Sequence, residues 1–208
     1  MDIGKPLHDY GPIVNIAELR DHMLVLPATF WELDAASRMR LASARKGNAV
    51  FFYNDVPQGV MRNPLYEAQS GRISVLRYSD RPLFAQIQAI LDEAVAPHFP
   101  ACDVVRVQLA ELPPFCQIPP HHDKNLLAVM HRLHVPIVTH KDVIFMIDGG
   151  NYHLEAGNLY DLNNCVPHAV DNNSDVMRIH LLIDMVPHEV ARTRYYDKLD
   201  DIVRALAV

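Results

Sequence analysis

The chain has 208 residues, a net charge of −6, 50% hydrophobic and 21% charged residues, which is the composition of a globular domain and excludes a disordered chain. No Lys/Arg cluster offers a footprint for nucleic acid, no apolar run reaches membrane-spanning length, and the opening MDIGKPLHDYG lacks a signal-peptide core. Twelve histidines hint at a metal, and Cys102, Cys116 and Cys165, without CxxC spacing and unable all to pair, read as reduced thiols of a cytoplasmic protein.

Residues 1–14 hold Pro6, Gly11 and Pro12 and read as an irregular lead-in. Ile16 to Met23 is a short helix candidate, followed by an apolar segment from Leu24 to Leu26. Phe30 and Trp31 read as core, with a substrate wall as the alternative, and Asp34 is placed to cap a helix running to Arg45, because its carboxylate accepts from the free N–H groups of a first turn. Lys46-Gly47-Asn48 breaks that helix before a strand from Ala49 to Tyr53. Residues 54–72, with Pro57, Gly59, Pro64 and Gly71, form a long loop with the character of a lid. Ile73 to Tyr78 reads as a strand. Leu83 to Ala94 is an amphipathic helix, its Leu83, Ile87, Ile90, Leu91 and Ala94 recurring at helical spacing before Pro97 and Pro100 end it.

From Asp103 the pattern changes to short β segments separated by turns: Val104–Leu109, Arg132–Thr139, Val143–Ile147, Tyr152–Glu155, Leu159–Leu162 and Met177–Met185. Asp148-Gly149-Gly150-Asn151 carries the glycines of a tight hairpin. Many short strands about ten residues apart predict an all-β barrel or jelly roll. With no repeat, low-complexity tract or linker, residues 1–208 are expected to form one domain with its β core at about 103–187 and a polar helix over 189–208.

The chemistry concentrates between 121 and 184. Pro120-His121-His122-Asp123 supplies a His-x-Asp, a second histidine follows at His168, and Arg178 lies ten residues beyond it. Two imidazoles and a carboxylate on one face of a metal leave open positions, the arrangement of non-haem Fe(II) oxygenases. Eight of the twelve histidines lie between 121 and 180, so spacing and strand parity must separate ligands from bystanders. Side chains alternate faces along a strand, so His121 and Asp123 point one way and His122 the other. Arg178 shares a face with His180, and Arg132 with His134. A buried Arg beside buried histidines needs an anion, and a dicarboxylic cosubstrate gripped through two parallel hydrogen bonds meets that need. A structural Asp or Glu is the alternative partner.

On these motifs, residues from about Arg106 to Pro187 resemble the aspartyl/asparaginyl β-hydroxylase family of Fe(II)/2-oxoglutarate dioxygenases, whose relatives include cis-proline hydroxylases. The matching segments are Pro120–Asp123, Arg132–Pro136, Gly157 onward, His168-Ala-Val170-Asp-Asn172 and Arg178-Ile-His180-Leu-Leu-Ile-Asp184. The resemblance implies a mainly β, double-stranded β-helix fold, a cupin-like jelly roll with flanking N- and C-terminal α-helices. It implies Fe(II) held by His121, Asp123 and His168, 2-oxoglutarate gripped by Arg178, and O2 as co-reactant. Arg132, His134 and His180 are similar to family residues near the cosubstrate. Two departures stand out: the family usually has Gly where this chain has Pro114-Phe115, and often Trp where it has Tyr160.

The implied activity is hydroxylation of a C–H bond of an amino acid, free or within a peptide, with succinate and CO2 as co-products. Arg62, Arg77 and Arg81 are candidates to hold the substrate's polar end, with solvated surface arginine as the plain alternative for each. A zinc hydrolase also suits two His and one Asp, but gives Arg178 no role. A non-catalytic cupin-like metal-binding module is the other alternative.

Overall fold

The protein was analysed as a computed structural model, which describes residues 1–13, 16–26, 48–54 and 81–190. Ten strands are described: β1 (Leu7–Pro12), β2 (Asn48–Asn54), β3 (Cys102–Leu112), β4 (Gln117–His121), β5 (His131–Val138), β6 (Val143–Ile147), β7 (Gly150–Tyr152), β8 (Asn158–Leu162), β9 (His168–Asn172) and β10 (Arg178–Pro187). They form a six-stranded sheet, β1-β8-β5-β10-β3-β2, and a four-stranded sheet, β4-β9-β6-β7, antiparallel throughout. The fold is the mainly β double-stranded β-helix that the sequence suggests.

The period of two along each strand sorts the core into two layers. On β10, Ile179, Leu181, Ile183 and Met185 pack with Leu133, Val135 and Ile137 of β5 and with Leu19, Met23, Leu83 and Ile87 of two helices, α1 (Ile16–Val25) and α2 (Arg81–Ile90). The helices therefore cover the outer face of the larger sheet. The layer between the sheets holds Leu112, Phe145, Ile147, Tyr160, Leu162 and Val170. Burying each such side chain contributes roughly 1.5–3 kcal/mol, so both layers stabilise the larger sheet from its two faces. The alternate residues of β10, Arg178, His180 and Asp184, are polar and buried on the inner face.

Several local expectations are met with shifted limits. The β6–β7 hairpin closes with Ile147 opposite Gly150, and both loop residues, Asp148 (φ 49) and Gly149 (φ 80), take the positive φ of a type I′ turn. Because the turn uses two residues, β7 begins at Gly150 and not at Tyr152, and Leu154 leaves the strand to be buried in the inter-sheet core. The expected continuous helix to Ala94 instead widens after Ile90 into a π-turn over Leu91–Val95, with Ala96 N–H donating to Leu91 O. The lead-in is not irregular, since Leu7–Pro12 pairs with β8 in the register Leu7↔Leu162. Pairing with a distant strand, which local pattern does not encode, decides that element.

Phe115 stands in the β3–β4 turn with φ 56, the left-handed region that favours glycine. Asn172 holds that turn in place, its Nδ2 donating to Leu112 O and Pro113 O at 3.0 Å each. The expected helix over 34–45, strand over 73–78, all but Asn54 of the expected lid over 54–72, the aromatic pair Phe30 and Trp31, Arg62, Arg77 and the tail beyond 190 lie outside the described residues. Arg81 opens α2. Among the described residues, no helix is long and apolar enough to cross a membrane.

Candidate metal centre and active site

β4 and β9 are antiparallel neighbours in the smaller sheet, and their register sets His121 opposite His168. The two imidazole centroids are 4.3 Å apart. Asp123 follows just past the end of β4, its N–H donating to Asn164 O at 2.8 Å. One ligand atom from each of His121, Asp123 and His168 lies within 4.8 Å of the others, a separation that a single ion can bridge. His122 is exposed, as parity requires. Pro119 and Pro120 fit β4 because it is an edge strand, where a missing N–H costs no ladder bond.

Each histidine is held in one tautomer by the same local device. His121 Nδ1–H donates to Pro119 O and His168 Nδ1–H to Val166 O, both at 2.9 Å and both two residues back. Each ring therefore keeps Nε2 bare as a donor atom for a metal. Burial, with His121 alongside, pushes His168 down to about 4, so it is neutral at pH 7 and ready to coordinate.

Asp123 is oriented through a chain of charges. Arg106 and Arg132 both bind the buried Asp184, Arg106 through Nε and Nη2 and Arg132 through Nε at 2.9 Å. Burial raises the Asp184 carboxyl, but the guanidinium groups of Arg106 and Arg132 outweigh it and hold the group below the usual carboxylate range. Arg132 Nη1 then reaches within 2.8 Å of Asp123 Oδ2, off the hydrogen-bond axis, so that oxygen has no hydrogen-bond partner. A buried carboxylate oxygen that is ion-paired but accepts no hydrogen bond keeps a lone pair to offer a metal.

Further along the inner face of β10 sits a second group. Arg178 is 2% exposed, its guanidinium lies 5.4 Å from the Phe145 ring centroid, and its Nε has no partner. Among the described residues no carboxylate lies within ion-pair distance of it. Burial alone pushes its pKa down to about 9. His180 stacks on Phe145 at 5.5 Å, and its Nδ1 meets His134 Nδ1 at 3.4 Å. Burial, then the nearby Arg178 charge, holds both imidazoles well below the ordinary value, so both are neutral. With both rings neutral, one Nδ1 donates to the other, and His180 Nε2 is left buried without a partner.

The seven sequence candidates thus line the interior between the two sheets in two groups. His121, Asp123 and His168 converge, with Arg132 bound to Asp123 and Asp184. Arg178, His180 and His134 cluster around Phe145. Sequence reasoning quoted Asp184 within a motif but gave it no role, and it passed over Arg106 and Asn164. Asp184's even spacing from Arg178 and His180 was the available signal. Asn164, fully buried, donates from Nδ2 to Leu127 O and Met130 O and carried no local signature. A cavity of about 310 Å³ lined by Ile87, Leu91, Val95, Phe99, Val107 and Met185 lies on the opposite, helix-covered face and takes no part in this site.

The model of the family described as aspartyl/asparaginyl beta-hydroxylase matches residues 74–187. Among solved structures, the chain is similar to a 2OG-Fe(II) oxygenase-family oxidoreductase from Burkholderia pseudomallei (12% identity, 82% of this chain and 90% of that one, TM-score 0.49). It is similar also to a prolyl-4-hydroxylase from Pseudomonas putida (15% identity, 88% and 92%, TM-score 0.45). A third is the viral collagen prolyl hydroxylase of Paramecium Bursaria Chlorella virus-1 (10%, 88% and 96%, TM-score 0.45). No curated protein matches the sequence.

Proposed function

Because the chain belongs to the aspartyl/asparaginyl β-hydroxylase family, we propose that it is an Fe(II)/2-oxoglutarate-dependent dioxygenase that hydroxylates a C–H bond of a free or peptidyl amino acid. The observation that carries this reading is a buried guanidinium, without a carboxylate partner among the described residues, on the inner face of the larger sheet, with a converging His-Asp-His set carried by the smaller sheet across the interior. His121, Asp123 and His168 would hold Fe(II) through the two bare Nε2 atoms and a carboxylate oxygen. Such an ion, when bound, supplies the reaction of O2 and 2-oxoglutarate with R–H to give R–OH, succinate and CO2.

The chain's own residues do the rest. Arg178 offers the planar fork that fits a carboxylate, and the dry surroundings of Phe145 and His180 strengthen that pairing. His134 and His180, being neutral, add polar contact without adding repulsion between cations. Asp184 and Arg132 keep Asp123 aimed at the metal, a role of the kind outer residues play around metal ligands. A zinc hydrolase would leave Arg178 without a function.

The test is a comparison of 2-oxoglutarate turnover to succinate with Fe(II) and with Zn(II). Succinate formed with Fe(II) and not with Zn(II) is expected. Hydrolytic activity with Zn(II), or no succinate with either metal, overturns the reading.

A further inference from the structure

Gln108 is a buried amide whose oxygen has no hydrogen-bond partner among the described residues. It lies on β3 and is 2% exposed. The uninterrupted β10–β3 register from Arg178↔Leu112 to Asp184↔Arg106 fixes its direction. Arg106 faces inward, as its bond to Asp184 shows, so Gln108, two residues on, faces inward as well. Its strand neighbours place it opposite Leu182, which in turn pairs with His134. Gln108 therefore stands one inward position along from the Arg106–Asp184–Arg132 row that orients Asp123, and two inward positions from Leu112, the partner of Arg178.

Folded proteins leave few buried polar atoms unbonded, because an unmade bond costs more than a made one returns. The other buried atoms without partners are accounted for differently. Asp123 Oδ2, Arg178 Nε and His180 Nε2 belong to the metal and cosubstrate reading, Asp161 is bonded through its second oxygen to His131, and Thr139 lies in the β5–β6 turn. Gln108 belongs to neither sheet core nor ion network, yet it shares their interior face. The turn over 113–116 carries the chain from β3 of the larger sheet into β4 of the smaller one, and the ion pair between Arg132 and Asp123 brings the candidate ligands against the inner face that Gln108 lines.

We propose that Gln108 is a substrate-binding residue whose side-chain amide receives the amino or amide N–H of an amino-acid substrate beside the metal, its own N–H₂ free to meet a carboxylate or carbonyl oxygen. This rests on the dioxygenase reading above. A neutral amide suits a group that offers both donor and acceptor, as an amino acid or peptide unit does, and it adds no charge next to Arg106 and Arg132.

The test uses the Fe(II)-loaded full chain and, as probe, an equimolar pool of the twenty L-amino acids and their N-acetyl amides. Half-stimulation of succinate formation by the pool is compared for wild type and Gln108→Met, an apolar side chain of similar length. In parallel, 2-oxoglutarate is titrated anaerobically against the Fe(II) protein by its chelate absorption. The expected result is a roughly tenfold to hundredfold higher half-stimulating concentration in the variant, the size of one lost buried hydrogen bond, with 2-oxoglutarate affinity unchanged. Thermal unfolding of Gln108→Met without ligands is expected at or above the wild-type temperature, showing that the fold survives. An unchanged half-stimulating concentration, an equal loss of 2-oxoglutarate affinity, or no stimulation of the wild type by the pool overturns the proposal. Absence of a chelate band in the wild type instead overturns the dioxygenase reading itself.

Discussion

Replacing Arg178 with Met should make the ligand-free protein more stable and unable to hold its cosubstrate. Burial pushes the Arg178 pKa down to about 9 with no counter-charge to oppose it. Each tenfold change in proton affinity is about 1.4 kcal/mol, so a fall from the ordinary range of ~12.5 represents on the order of 3–5 kcal/mol against the charged form. The sign follows from proton binding: the unfolded chain holds this proton more tightly, so the destabilisation is complete below about pH 9 and is relieved only as pH rises above it. The contact with Phe145 at 5.4 Å returns about 0.5–2 kcal/mol. The net gain for Arg178→Met is then roughly 1–4 kcal/mol, at about 2–4 °C in Tm per kcal/mol for a chain of this size. Thermal unfolding at pH 7.5 with and without excess 2-oxoglutarate reads both effects. Wild type should rise with 2-oxoglutarate, whereas the variant should start higher and stay there. A variant that melts lower and still responds to 2-oxoglutarate would refute both the unpaired charge and the anchoring role.

His121→Ala, Asp123→Ala and His168→Ala should each abolish Fe(II) binding, measured by equilibrium dialysis, while exposed His122→Ala leaves it intact; an essential His122 would mean the strand register is wrong. Asp184→Asn leaves the buried Arg106 guanidinium poorly compensated and removes one of the two carboxylates that hold Arg132, and should cost about 3–5 kcal/mol in urea unfolding, with weaker Fe(II) binding as Arg132 shifts; a change under about 1 kcal/mol would remove Asp184 from the network. Burial keeps His134 and His180 neutral, well below the value near 6.5 at which they titrate when unfolded. The unfolded chain therefore binds more protons below about pH 6.5, and stability should fall as pH drops through that point. Urea midpoints at pH 7.5, 6 and 5 check this, and a midpoint that holds constant would contradict it.

What the amino-acid order settled by itself was what local chemistry can encode. Strand parity placed Arg178 with His180, His121 with Asp123, and His122 outside, because alternation needs no knowledge of partners. The Asp-Gly pair at 148–149 announced its own turn, since few other residues accept two successive positive φ values. The His-x-Asp, the second His and the following Arg were legible because ligand spacing is a local pattern. The tertiary structure alone decided what depends on contacts between distant segments. β1 became a strand because β8 supplied its hydrogen bonds, overriding its Pro and Gly content. Arg132 met Asp123 and Asp184, while Arg178 met no carboxylate among the described residues, although both are arginines on inward faces of adjacent strands. Which arginine is compensated and which awaits an anion depends on what lies across the strand and across the sandwich, distances that no stretch of sequence records.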